Sequence, residues 1–307
     1  MVRSSVALYY FRGLISAAVM GANEVQLDLD NAWREIADDL PRIDATRWGP
    51  HLRFSTSPRA VEEFYREIQP HLGRFVLYGS GDFHHLTALW LRRIQEPITL
   101  VSFDNHPDWD VRPPRWCCGG WVNRALELPH VRRATIWGCG NFECWWPGQI
   151  FGNRRAERAG TLTVHPWADD RPPSAQKRRG AILRKNWREQ FEKFANELIG
   201  SNIYITIDLD CLAPDYSCTN WESGRFDLND VRWGLETLRH HAHVLGGDIC
   251  GAYSPPAYAR RKQRFASEMD HPKLNFPPAE KIRAINQRTF EALWPALTGS
   301  YRCSGSL

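Results

Sequence analysis

Short apolar runs alternate with segments of helical periodicity along this chain. Apolar runs typical of buried strands occur at residues 75–78, 98–103 and 203–207, and residues 133–137, 161–164 and 244–249 are also predicted to be strands. Apolar residues at helical spacing predict helices over 85–95, 122–128, 181–199 and 279–297, and Asp227 is a predicted N-cap for a helix that ends near residue 240. Strands that alternate with helices are typical of βαβ units. We therefore predict an α/β protein with three α-β-α layers and a mainly parallel sheet.

The chain is predicted to form a single domain over residues 1–307, because this length suits one large α/β domain. Residues 154–176 are rich in Arg, Asp and Pro and are predicted to be a long surface loop. Residues 1–20 are mildly apolar, but Arg12 interrupts them and no cleavage site follows. A cytoplasmic location is expected.

Composition argues against two kinds of partner. The net charge is +4, from 39 basic and 35 acidic side chains, and this small, scattered excess does not favour nucleic acid. No apolar stretch reaches the 18 or so residues of a membrane span, so no membrane association is expected. The eight cysteines form no CxxC pair, so neither a zinc knuckle nor a disulfide framework is indicated.

Clusters of carboxylates and imidazoles follow three of the predicted strands. They are Asp82-Phe83-His84-His85, Asp104-Asn105-His106-Pro107-Asp108 and Asp208-Leu209-Asp210. The carboxyl ends of neighbouring parallel strands converge on one crevice. Several such groups in one dry pocket would repel each other without a cation among them. The clusters therefore predict a metal site, and the carboxylate-rich balance favours Mn²⁺, with Zn²⁺ or Fe²⁺ as alternatives.

The order of these motifs resembles the ureohydrolase family of arginase and agmatinase, within the arginase–deacetylase fold. That family carries GGDH, DxHxD and DxD motifs on a three-layer parallel sheet, and Gly79-Ser80-Gly81-Asp82-Phe83-His84 stands here for the first. The resemblance implies two Mn²⁺ ions. One ion would be held by His84, Asp104, Asp108 and Asp208, and the other by Asp104, His106, Asp208 and Asp210.

The first histidine ligand has an alternative, because Phe83 intervenes where the family has His directly after Asp. His84 matches the family's His-Ser-Ile-Thr run best, and His85 is the second choice. The resemblance gives Asp108 the further role of orienting the nucleophilic hydroxide.

Two departures from the family concern the substrate. Gly251 stands where guanidine-cleaving members have a Glu that pairs with the guanidinium, and Cys118 stands where they have a proton-shuttling His. Glu222, in the loop after the third cluster, is a candidate replacement carboxylate, although an exposed loop residue is the alternative. Cys118 is either a contact to the ligand or a small buried residue.

Fourteen tryptophans are present, and several cluster between residues 109 and 146. They would either pack in the core or form an aromatic wall around a small ligand.

These observations predict a binuclear metal-dependent hydrolase that cleaves a C–N bond of a small guanidine, amidine or amide through a metal-bridging hydroxide. Two alternatives are a mononuclear zinc amidohydrolase of the deacetylase type and a non-catalytic metal-binding protein. The expected partner is a small-molecule substrate, and family members with this fold often form homo-oligomers.

Overall fold

The computed structural model describes residues 22–300, so the apolar segment 1–20 and Cys303 lie outside the described residues. Eight parallel strands form one sheet in the order β2-β1-β4-β10-β9-β5-β7-β8, and β3 pairs antiparallel with β6. The strands are β1 (Glu24–Asp28), β2 (Arg42–Asp44), β3 (Ser55–Thr56), β4 (Phe75–Tyr78), β5 (Ile98–Phe103), β6 (Trp116–Cys117), β7 (Val131–Cys139), β8 (Leu162–Pro166), β9 (Asn202–Asp208) and β10 (His243–Cys250).

Helices cover both faces of the sheet. The α-helices of the described residues are α1 (Gly49–Leu52), α2 (Pro58–Ile68), α3 (Thr87–Trp90), α4 (Trp121–Leu126), α5 (Arg154–Ala159), α6 (Pro173–Gln176), α7 (Trp187–Glu197), α8 (Leu228–His241), α9 (Arg261–Asp270) and α10 (Ala279–Thr298).

Two buried apolar clusters lie between the helices and the sheet. One includes Phe64 of α2 and Val122 of α4. The other includes Phe191 of α7, Leu235 of α8 and Leu293 of α10. The predicted α/β class, with three layers and a parallel sheet, is confirmed.

All the strands predicted from apolar runs are present, with ends that shift by a few residues. The helix capped by Asp227 is also confirmed, since its carboxylate accepts from the Asp230 amide in a capping box. Strands β1 and β2 and helices α2 and α9 were not predicted.

Three predicted segments were wrong. Residues 154–176 are not a loop, because they contain α5, β8 and α6. Residues 85–95 do not form one helix but a 3₁₀ turn, the short α3 and another 3₁₀ turn. The helix predicted over 181–199 begins only at Trp187, because Ile182 extends the sheet through a bridge to Trp167.

Strand register sets where the clusters meet. Phe103 of β5 pairs with Ile207 of β9, so Asp104 and Asp208 leave the sheet side by side. Cys250 of β10 pairs with Asp208 from the other side, and β4 lies next to β10. The carboxyl ends of four adjacent strands therefore surround one point.

Within residues 22–300, no helix combines the length and apolarity that crossing a membrane requires.

Candidate metal centre

A 3₁₀ turn after β4, Gly81–Leu86, carries the first histidine into the cluster. His84 is buried, and its Nδ1 lies 3.1 Å from Oδ2 of Asp104, 3.4 Å from Oδ2 of Asp108 and 3.5 Å from Oδ2 of Asp208. One imidazole nitrogen thus faces three carboxylate oxygens from two strand ends. The structure thus brings together the four residues that were predicted to hold one ion.

The hydrogen bond at the other ring nitrogen of His84 fixes the tautomer of the imidazole. Nε2 lies 2.9 Å from Oγ1 of Thr206, and that hydroxyl lies 2.5 Å from Oδ1 of Asp248. Since the hydroxyl donates its hydrogen to the carboxylate, it accepts from Nε2–H of His84. The Nδ1 lone pair is then free to bind a metal.

A second histidine lies on the opposite side of the carboxylates. Nδ1 of His106 is 2.8 Å from Oδ2 of Asp210 and 3.8 Å from Oδ1 of Asp104. Its Nε2 is 3.4 Å from Oε1 of Glu222. Within each of the groups His84–Asp104–Asp108 and Asp104–His106–Asp210, the ligand atoms lie within 4.8 Å of one another. The shared residue is Asp104.

His85 takes no part in this cluster. It is buried, and burial lowers the pKa of its imidazole to about 3, so the ring is neutral. The structure thus places His84, and not His85, among the carboxylates.

The buried, mutually repelling carboxylates of the cluster favour a bound cation. Burial, followed by the neighbouring charges of Asp108 and Asp210, raises the pKa of Asp104 well above its usual range. Burial and the charge of Asp210 raise the pKa of Asp208 to about 7. Nδ1 of His84 and Oδ2 of Asp104 are buried without a hydrogen-bond partner. Such orphaned atoms, all of them metal-ligand types, fit divalent ions.

Asp108 has a backbone conformation that a non-glycine residue rarely adopts, with φ of +45°. The indole Nε1–H of Trp121 donates to its Oδ2 over 2.6 Å, and the indole ring lies 4.6 Å from the His84 ring. Strain of this kind clusters at functional sites.

Most of the other tryptophans in the 109–146 segment follow the packing interpretation. Trp109, Trp116, Trp137 and Trp145 are buried, whereas Trp146 is exposed.

The ligand cluster forms the floor of a cavity of about 80 Å³. This is much smaller than the several hundred Å³ of a typical ligand pocket, so only a small reacting group fits inside. The residues that line it besides the predicted ligands are Gly81, Cys118, Gly119, Asn141, Phe142, Glu143, Trp221, Glu222 and Asp270.

Sequence reasoning missed several of these wall residues. Nδ2 of Asn141 donates to Oε1 of Glu222 over 2.8 Å, and its Oδ1 accepts from the Glu143 amide. Asn105, inside the second motif, donates from Nδ2 to the Glu222 carbonyl and accepts from the Asn141 amide. The polar residues directly after β7 were the available signal, since that strand end faces the same edge of the sheet.

Burial opposes ionisation of Glu222, but the hydrogen bond and charge of His106 outweigh it and lower the pKa of Glu222 to about 2. Burial, partly offset by His106, raises the pKa of Glu143 to about 7. The predicted candidate Glu222 is thus a carboxylate that faces the ligand cluster.

Cys118 lies in the cavity wall and is buried. Burial and then the charge of Asp82 raise the pKa of its thiol well above the ordinary value, so it remains protonated. Cys250 was not predicted, but its thiol lies 3.5 Å from Oδ2 of Asp208.

A buried ion pair stabilises the turn that carries the first motif. Nε of Arg53 donates to Oδ2 of Asp82 over 2.6 Å, and both side chains are fully buried. Burial raises the pKa of Asp82, but the charges of Arg53 and His271 outweigh it and lower the value to about 2. The turn that carries His84 is therefore anchored to the segment before β3.

Several solved structures have a similar fold. The chain superposes on an arginase from Bacillus subtilis with a TM-score of 0.54 at 12% identity, covering 91% of this chain and 99% of the other. It superposes on a hypothetical agmatinase from Burkholderia thailandensis with a TM-score of 0.52 at 17% identity, covering 94% and 90%. A formiminoglutamase variant from Trypanosoma cruzi, solved with Mn²⁺, gives 0.50 at 14% identity, covering 90% and 97%. The protein therefore has the fold of the ureohydrolases.

No protein-family model matches the chain. A curated relative, an uncharacterized protein of Thermotoga maritima, is 30% identical over 208 residues, which span 66% of this chain and 68% of the relative. The chain belongs to the same family as this Thermotoga protein.

Proposed function

We propose that this protein is a binuclear metal-dependent hydrolase that cleaves a C–N bond of a small guanidine, amidine or amide. The observation that carries the proposal is the pair of ligand groups that share Asp104, with His84 at one end and His106 at the other. Neighbouring folds belong to arginase, agmatinase and formiminoglutamase, which supports the same reaction class.

Each proposed ion has its own histidine. His84, Asp104, Asp108 and Asp208 would hold the first ion, and His106, Asp104, Asp208 and Asp210 the second. The T. cruzi structure with Mn²⁺ supports manganese, and the oxygen-rich donor set agrees. When bound, two such ions lower the pKa of water and polarise the bond to be cleaved.

The side chains around the ions have separate tasks. Asp108, fixed by the indole of Trp121, orients the attacking water. Glu222 supplies the carboxylate for a cationic substrate group, in place of the family Glu that Gly251 replaces, because its Oε1 is held by Asn141 and lies near His106. Cys118 contributes a small neutral side chain to the wall and does not carry protons.

Metal stoichiometry tests the centre directly. Protein reconstituted with Mn²⁺ and analysed by elemental mass spectrometry is expected to hold two ions per chain, and Asp208→Ala is expected to lose most of them. Asp170→Ala, at an exposed residue paired with Arg225, serves as the matched control. One tightly bound Zn²⁺ would instead favour the mononuclear deacetylase alternative, and no specific metal would refute the proposal.

Hydrolysis tests the reaction. Guanidines, amidines and acyl amines are screened at full metal loading, with release of urea, ammonia or amine as the readout. We expect turnover of at least one of them, and its loss in a folded Asp210→Ala protein. The cytoplasmic location, the small-molecule partner and the homo-oligomer stay predictions.

A further inference from the structure

Helix α9 is attached to the protein by polar side chains. Its inward-facing stripe consists of Gln263 and Ser267, which are buried, and the C-terminal cap His271, which is partly buried; the three are spaced four residues apart. Its large apolar residues face outward instead, with Phe265 66% and Met269 73% exposed. A helix normally buries its apolar face, so the position of α9 is set by specific polar contacts.

Those contacts lead to the turn that carries His84. Nε2 of Gln263 donates to the Arg53 carbonyl, and the Ser267 hydroxyl is 2.6 Å from that of Tyr258. Nε2 of His271 lies 2.8 Å from Oδ1 of Asp82, which is itself paired with Arg53. The end of α9 is therefore tied to the buried ion pair behind the metal centre.

His271 also touches the wall of the cavity. Its ring stacks on Trp221, with centroids 4.1 Å apart and planes inclined by 27°. A second aromatic neighbour is Phe54, whose ring centroid lies 5.8 Å from that of His271 and 6.5 Å from that of Trp221. Because Trp221 lines the cavity, His271 holds the end of α9 against that wall, and the preceding residue, Asp270, reaches the cavity mouth.

The net charge of the cavity lining makes Asp270 a candidate to bind a cation. Two divalent ions would neutralise the four ligand aspartates, which leaves Glu143, Glu222 and Asp270 in the same lining. Among the described residues no Lys or Arg lines the cavity. Two cations that act on Asp270 already have partners: Arg112 is paired with Asp110 and lies over the ring of Phe151, and His271 is paired with Asp82. The mouth is thus acidic even when the metals are bound.

We propose that α9 is a specificity arm: Asp270 binds a cationic group at the end of the substrate distal to the metals, and His271 is the positioning residue that fixes Asp270 there. The inference rests on the proposed function and narrows its substrate class to guanidines or amidines that carry a second, positively charged group. Recognition would then come from helix α9 and not from the loop after β10.

Binding of two matched probes tests this inference without requiring turnover. Agmatine, a guanidine with a primary amine, and butylguanidine, which lacks the amine, are titrated calorimetrically into the Mn²⁺-loaded full chain. The wild-type protein should prefer agmatine, and Asp270→Asn should reduce that preference about fivefold, the size expected for a partly exposed ion pair. Glu268→Gln, on the same helix but paired with Arg264 at the surface, should leave the preference unchanged.

A double-mutant cycle tests the role of His271. His271→Ala should reduce the agmatine preference in the wild-type background but have no further effect on it in Asp270→Asn, because both changes remove one interaction. Equal weakening of both probes by His271→Ala, with the preference retained, would show a merely structural role. Metal content of each variant is measured in parallel.

The two proposals fail in different ways. A wild-type protein with no preference for agmatine, or an Asp270→Asn protein that keeps it, overturns the specificity arm whether or not guanidines are hydrolysed. A protein that prefers agmatine through Asp270 but hydrolyses no C–N bond supports the arm and refutes the hydrolase.

Discussion

Gly251 lies directly against Asp208: a Cβ on Gly251 would stand 2.3 Å from Oδ1 of that carboxylate and 2.5 Å from the Leu209 amide nitrogen. The backbone of Gly251 also has φ of +105°, a conformation that side chains disfavour. The absence of the family Glu at this position therefore has a steric reason. In this backbone, position 251 has no room for a side chain.

Gly251→Ala is expected to disturb the metal centre through Asp208. Gly160 provides the matched control, because its φ is +76° and an added Cβ there meets nothing within 4 Å. Gly160→Ala should cost about 1 kcal/mol of unfolding free energy from the backbone alone, and Gly251→Ala about 3 kcal/mol. Only Gly251→Ala should also lower Mn²⁺ content. Equal losses of stability in the two variants would contradict the predicted clash.

Thr206→Val is expected to weaken metal binding about tenfold or more, because Val cannot accept the hydrogen bond that fixes the His84 tautomer. Thr135→Val is the control, since the Thr135 hydroxyl is buried in the same sheet without a hydrogen-bond partner. Competition titrations with a chelator measure the Mn²⁺ affinity. Unchanged affinity in Thr206→Val would show that the ring is oriented by its other contacts.

Arg53→Met is expected to cost roughly 3–5 kcal/mol, because it leaves the carboxylate of Asp82 buried beside only one other cation, His271. Urea unfolding measures the change. Arg59→Met, at an exposed pair with Glu63 on α2, should have no measurable effect. If both substitutions have similarly small effects, then water or a rearrangement of neighbouring groups stabilises the buried Asp82 carboxylate in place of Arg53.

Burial of His165 is expected to lower the stability of the fold in acid. Its ring stacks on Trp137 with centroids 3.6 Å apart, and burial lowers its pKa from 6.5 to about 3. Between these values the unfolded chain binds a proton that the folded protein does not, so stability falls as the pH drops below 6.5. At pH 5 this costs the wild-type protein about 2 kcal/mol.

The matching experiment compares unfolding free energies at pH 7.5 and pH 5. In His165→Phe, which keeps an aromatic ring on Trp137, the loss between the two pH values should be smaller by about 2 kcal/mol. His51→Gln, at an exposed position on α1, is the control and should behave like wild type. Identical pH dependence in wild type and His165→Phe would show that this imidazole is protonated in the folded state.

Local signals predicted much of the ligand cluster. Asp104, Asp208 and Asp210 continue or directly follow buried strands, and parallel strands end at the same edge of a sheet. Their convergence could therefore be inferred without long-range information. The same reasoning reached His84 and His106, whose turns begin within a few residues of β4 and β5.

Other parts of the cavity were not predicted in this way. Asp270 and His271 come from α9, a polar helix without an amphipathic pattern to indicate which face it buries. Glu143 follows β7 at the same edge of the sheet, so strand-end reasoning could have found it, but no motif marks it in the sequence. The interpretation of residues 154–176 as a loop missed the helices α5 and α6, because neither has a buried residue and so neither shows an apolar stripe in the sequence.

The sequence by itself determined the α/β class, the carboxyl-end location of the clusters and their chemical type, because each depends on residues close together in the chain. Only the tertiary structure decided that His84 and not His85 faces the carboxylates, that Gly251 has no room for a side chain, and that α9 brings Asp270 to the cavity mouth. These depend on strand register and on contacts between distant segments, which no local periodicity encodes.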